Sequence, residues 1–109
     1  MAKQRNPEPP CPVTLCRKAI GGKWKPVIIY CLHHGIDRFG ELRRHIDGIS
    51  KQMLTKQLRE LEEDELVLRE VFAEVPPRVE YTLSERGKSV LPVIRAMKKW
   101  GECQQVKAE

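Results

Sequence analysis

The hydrophobic period of this chain changes once, near residue 65, and that change does most to limit its fold. Upstream, Leu54, Leu58 and Leu61 recur at i, i+4 and i+7, the stripe of an amphipathic helix. Downstream, Leu66, Leu68, Val71 and Phe72 read as a short strand, and Val79, Tyr81 and Leu83 alternate as a second. Between them, Glu74-Val75-Pro76-Pro77-Arg78 forms a turn unable to join a ladder, since proline has no amide hydrogen to donate. The two strands therefore predict a hairpin with a rigid tip. The expected fold class is mainly α with one small β-hairpin.

Caps and breakers mark the helices. Pro12 suits the first position of a helix capped by Cys11, with Val13, Leu15, Cys16 and Ile20 as its apolar contacts and Gly21-Gly22 as its end. Pro26 is tolerated only in a first turn, so the next helix begins around Trp24 or Lys25 and stops at Gly35. Its β-branched run also suits a strand; the proline position, the length and the terminal glycine favour helix. Asp37-Arg38 is a short extended link, and Phe39, Leu42 and Ile46 define a compact helix ending at Asp47-Gly48. Ser50 is a good N-cap for the long helix that runs to about Asp64. Ser84, with Gly87 close behind, opens a final helix through about Cys103, where Pro92 either kinks the helix or marks its true first turn.

Residues 1–10 carry three prolines and no periodicity and read as a flexible arm; residues 11–109 then form one domain. With 40% apolar residues the core is modest, and a chain of this size often completes it by burying surface in a partner subunit. Twenty basic against fifteen acidic residues give a formal charge of +5, which favours polyanions. Nucleic acid leads, with membrane surfaces and acidic proteins as competitors. No apolar run approaches the roughly 18 residues of a membrane span. The polar N-terminus lacks the apolar core of a signal peptide. A cytoplasmic protein is expected, whose four cysteines are not structural disulfides.

The order helix, link, helix, glycine turn, capped helix, hairpin, helix is that of a winged helix-turn-helix, whose second helix enters the major groove of DNA. On the helix after Ser50, Lys51, Gln52, Thr55, Lys56 and Arg59 share one sector away from the leucine stripe. Such side chains hydrogen-bond base edges or neutralise phosphate. Glu60, Glu62, Glu63, Asp64 and Glu65 gather at the far end. In isolation this is an ordinary solvated helix face; the helix before it and the Pro-tipped hairpin after it favour DNA. Arg78 at the hairpin tip suits backbone or minor groove, or is simply an exposed turn residue. Arg38, Arg43 and Arg44 flank the preceding helix and are suited to position phosphates, although Glu41 offers the last two an alternative partner.

Other chemistry finds less support. Cys31, His33 and His34 cluster, but adjacent helical residues point about 100° apart and no Cys-x-x-Cys pair completes a tetrahedral site, so no metal is expected. With no phosphate loop and no nucleophile beside an acid-base pair, neither an enzyme nor a cofactor is expected. Trp24, Tyr81 and Trp100 suit core or interface positions, or a small hydrophobic effector pocket. Cys11, at a helix N-terminus beside Arg17 and Lys18, sits where a thiol pKa falls.

The stretches CPVTLCRKAIGGKWKPVIIYCL, RFGELRRHIDGISKQMLTKQLRELEEDELVLREVF and PPRVEYTLSERGKSVLPVIRAMKKW, in that order, resemble bacterial HxlR-type winged-helix regulators over about residues 11 to 100. The resemblance implies a homodimer packed through its N- and C-terminal helices, presenting two recognition helices to a pseudo-palindromic double-stranded operator. It carries the recognition role to Ser50, Lys51, Gln52, Thr55, Lys56 and Arg59, the wing to Arg78, and the start of the preceding helix to Arg38. Glu65 departs from the pattern, which usually has Gly there. Several similar regulators sense oxidants or electrophiles through a cysteine at the place of Cys11, and Cys103 is then a candidate to resolve an oxidised Cys11 of the other subunit. The expected function is sequence-specific transcription regulation, with repression the default because a dimer on a promoter blocks polymerase. The alternatives are a regulator answering to a small molecule without redox switching, and a winged-helix protein-interaction module.

Overall fold

The computed structural model describes residues 11–108; the expected arm at residues 1–10 lies outside them. Six helices and two strands follow in the order α1 (Pro12–Ile20), α2 (Lys25–His33), α3 (Phe39–His45), α4 (Lys51–Glu63), β1 (Val67–Phe72), β2 (Arg78–Leu83), α5 (Glu85–Lys88) and α6 (Leu91–Ala108). The prolines stand where their missing amides cost nothing, in the first turns of α1 and α2. Ser50 caps α4 by accepting a hydrogen bond from the Met53 amide at 3.0 Å.

The core is built around α2 and α4. Ile28, Ile29, Leu42, Leu54, Leu58 and Leu61 are fully buried and meet Leu66 and Val67 at the base of the hairpin. α2 packs against α3, α6 and β2, which makes it the shared spine of the molecule. Lys25, at the start of α2, is buried and reaches Glu60 of α4 in an ion pair of 2.8 Å. The Lys25 ammonium, through a hydrogen bond and its charge, holds the Glu60 carboxyl below its ordinary pKa.

β1 and β2 are antiparallel, with Val67 opposite Leu83, Arg69 opposite Tyr81, Val71 opposite Val79 and Phe72 opposite Arg78. The link between α2 and α3 joins this sheet at one point, where the Tyr81 amide donates to the Asp37 carbonyl at 2.9 Å. The phase of β1 differs from the sequence expectation. Val67 is buried and Leu68 is 55% exposed, because Leu66 is used in the turn that ends α4 and the strand starts one residue later. Arg78 is also displaced from its expected place at the tip: it is the first residue of β2.

That turn is a Schellman motif. The Leu66 amide donates to the Leu61 carbonyl at 2.9 Å and the Glu65 amide to the Glu62 carbonyl at 3.0 Å, with Leu61 and Leu66 buried together. Glu65 takes the left-handed position at φ 62°, which glycine adopts without penalty and a residue with a Cβ does not. Ser84 locks the turn from the other side: its hydroxyl donates to the Glu65 carbonyl and accepts from the Gly87 amide. The Arg86 guanidinium reaches the Asp64 carbonyl at 3.0 Å. Gly87 has no room for a side chain, since a Cβ there would run into the Leu66 carbonyl.

The final helix departs from expectation in two ways. It is split into α5 and α6, with Pro92 in the first turn of α6 rather than at a kink, and α6 continues past Cys103 to Ala108. Outside the core, α1 and α6 leave Val13, Leu15, Val93, Met97 and Trp100 exposed.

Candidate nucleic-acid interface

The charges on α4 oppose its own dipole. A helix N-terminus carries partial positive charge and its C-terminus partial negative charge, so acids stabilise the start and bases the end. The first turn of α4 has no acid and the last turn no base. Lys51 opens the helix, Lys56 and Arg59 follow further along its exposed side, and Glu62, Glu63 and Asp64 close it. Intrachain pairing does not account for it either. Among the described residues, ion pairs engage Lys25, Arg78, Lys88 and Lys98, and none engages Lys51, Lys56 or Arg59. The dipole disfavours Lys51, Lys56 has only the charge of Glu60 nearby, and none of the three is in an ion pair among the described residues, so an anion outside the chain is an economical partner for this face.

The sequence-predicted positions separate into groups. Lys51, Gln52, Lys56 and Arg59 are exposed on one side of α4, free to meet a ligand. Ser50 and Thr55 have hydroxyls engaged within the helix: Ser50 caps it, and Thr55 donates to the Lys51 carbonyl at 2.9 Å. Arg38 is the half-buried N-cap of α3 and lines a separate cleft with Arg44 and Pro77, between α3 and the hairpin. Arg78 is committed. It lies 3.3 Å from Glu74 and 3.5 Å from Glu80, and its guanidinium stacks 4.1 Å from the centre of the Phe72 ring. The pairing has a local cause, because Glu70 stands directly opposite Glu80 and the repulsion needs a cation nearby.

One basic residue escaped the sequence reading. Arg69 shares the inner hairpin face with Tyr81, and with Lys51, Thr55 and Arg59 it lines a cleft of about 540 Å³ between α4 and the sheet. Its signal was the alternation of Val67, Arg69 and Val71, hidden because Leu66, Leu68, Val71 and Phe72 read as the strand.

The cysteines fall into different environments, all as free thiols. Cys11 is exposed and caps α1 without a formed side-chain hydrogen bond to the helix. The amides of Thr14 and then Val13 nevertheless favour its thiolate and pull the thiol below its ordinary pKa. Burial pushes the Cys31 thiol up. Cys103 is exposed within α6, and Cys16 is half-buried against the core. Among the described residues no cluster of His, Cys, Asp and Glu could hold a metal ion, and no helix is long and apolar enough to cross a membrane.

A family model described as HxlR-like helix-turn-helix matches residues 19–109. The chain belongs to that family. This HxlR-like chain is 50% identical over 92 residues to YybR of Bacillus subtilis (strain 168), named an uncharacterized HTH-type transcriptional regulator, covering 84% of this chain and 74% of YybR. Its fold superposes with a TM-score of 0.83 on the redox regulator HypR in its oxidized form, at 49% identity over 85% of this chain and 96% of HypR. It superposes with a TM-score of 0.73 on the reduced transcriptional regulator YodB from B. subtilis, at 38% identity over 84% of this chain and 92% of YodB. The HxlR-like chain is thus a helix-turn-helix transcriptional regulator with a two-stranded wing.

Proposed function

We propose that the chain acts as a homodimer on a pseudo-palindromic operator, reading the major groove with α4 and repressing transcription by occupying the promoter. The observation that carries this reading is the exposed basic side of α4, where Lys51, Lys56 and Arg59 enter no ion pair among the described residues and Lys51 stands against the helix dipole. Lys51, Lys56 and Arg59 supply salt-sensitive affinity and Gln52 a bidentate group for a base edge. The engaged Ser50 and Thr55 hydroxyls have secondary parts, and Arg38 lies to one side as a phosphate contact. Dimerisation draws support from the apolar face of α1 and α6, where Val13 is 74% and Trp100 68% exposed.

Thiol switching through Cys11 is supported by its exposure, its lowered pKa and the likeness to redox regulators. An oxidant taking two electrons and two protons from two thiols would join Cys11 to Cys103 of the partner subunit and change the angle between the recognition helices. A second reading is an apolar small-molecule effector. It is favoured by a cleft of about 410 Å³ between α2 and α6 that Val27, Tyr30, Ile94 and Met97 line.

The test is a gel-shift titration on DNA from upstream of the protein's own gene, with and without diamide. Lys56→Ala and Arg59→Ala are expected to weaken binding about tenfold each while the fold persists. Unchanged affinity in both variants removes α4 from the interface and leaves the protein-interaction module. Loss of binding on oxidation only while Cys11 is present supports the thiol switch, and indifference of wild type to diamide moves regulation to the effector.

A further inference from the structure

We infer that the cleft between α4 and the hairpin seats a phosphate of the DNA backbone, and that Arg69, not Arg78, is the wing's contribution to it. The inference rests on the reading of α4 as the recognition helix. A helix with its side chains is about 10–12 Å across, and the major groove is about 12 Å wide. An inserted helix therefore leaves a sugar-phosphate strand running along each of its flanks. On the flank that faces the hairpin, that strand meets the α4–hairpin cleft.

The cleft has the composition such a strand requires. Lys51 and Arg59 approach from α4, and Arg69 approaches from β1. Glu62 is the one carboxylate on its walls, and among the described residues no ion pair joins it to any of the three cations. Three unpaired positive groups around one open space repel one another, and an anion between them relieves that repulsion. Register fixes the face from which Arg69 projects: it is paired with Tyr81, which packs against the core, so only a shift of the strand would turn it to the other face. A guanidinium grips two phosphate oxygens at once, whereas a lysine at the same point offers only a charge.

Arg78 is the opposite case. It stands on the outer face of the hairpin, across from Phe72, and already balances Glu74 and Glu80. To bind phosphate it would have to abandon two carboxylates and leave Glu70 facing Glu80 without compensation. The outer face carries three glutamates against that single arginine, so it offers DNA no net attraction.

The salt dependence of affinity measures the seat directly, because each neutralised phosphate contributes about 0.9 to the slope of log K against log salt. With the full-length protein and a duplex from upstream of its own gene, Arg69→Gln should lower the slope by about 1 and weaken binding severalfold at ~0.1 M salt. Arg69→Lys should recover most of the slope. Arg78→Gln should leave it unchanged while lowering the melting temperature slightly through the uncompensated Glu70 and Glu80, and the thermal melt of Arg69→Gln should match wild type. An unchanged slope in Arg69→Gln, with Arg59→Ala still lowering it, overturns the seat and leaves α4 as the reading helix. A slope that falls equally in Arg78→Gln overturns the exclusion of Arg78. If Arg59→Ala and Lys56→Ala also leave the slope intact, the DNA reading falls with the seat.

Discussion

The apolar residues of this chain form two layers with opposite fates. Around α2 and α4, Ile28, Ile29, Leu54 and Leu61 have no exposed surface, while on α1 and α6 Val13, Met97 and Trp100 stand half or more in solvent. The first layer is finished within one chain: its residues come from five helices and the hairpin, and its polar intruder, Lys25, has a partner. The second layer is one wall without its opposite. In the proposed dimer folding and assembly would therefore be separable, and a signal could act on the second layer without melting the first.

Three substitutions probe that separation. The largest effect is expected from Leu58→Ala, which hollows the finished layer directly behind the reading face of α4. Urea denaturation should show a loss of about 3 kcal/mol, within the range for deleting a buried leucine side chain. A loss under about 1 kcal/mol would mean that α4 is held by something other than its leucine stripe. Next, Trp100→Glu puts a charge on the unfinished layer. Sedimentation should show a dimer dissociating on the order of 100-fold more readily, with the far-ultraviolet circular dichroism unchanged. A chain that unfolds instead would make the two layers one cooperative unit. The smallest effect is a gain: Glu65→Gly should raise stability by about 1 kcal/mol in the same urea experiment, by removing a Cβ from a left-handed position. No gain would show that the greater entropy of an unfolded glycine cancels the relief.

Much of this was legible in the residues. Proline positions gave the starts of α1 and α2, the Ser50 cap gave that of α4, and the change of period near residue 65 gave the hairpin. That Lys51, Gln52, Lys56 and Arg59 share an exposed side of α4 was readable because a helical sector depends only on local geometry. What the sequence hid depends on register or on distant neighbours. The phase of β1 turned on whether Leu66 belongs to the strand or to the helix end, and that one-residue choice concealed Arg69. The capture of Arg78 by Glu74 and Glu80 follows from the same register. The burial of Lys25 was not readable, because nothing local announces that Glu60 of α4 stands within reach. The departure at Glu65 was visible as an unusual residue, but its left-handed backbone was not.

The bonds from Ser84 and Arg86 to the last carbonyls of α4 also have a mechanical meaning. Only Ser89 and Val90 separate α5 from α6, so the helix that carries Trp100 begins almost where the end of the reading helix is anchored. The Asp37 contact with Tyr81 fastens the wing to the same frame. A subunit built this way has few soft joints between its outer wall and its reading edge. It moves like a stiff lever, in which a slight turn at the fulcrum becomes a larger displacement at the tip.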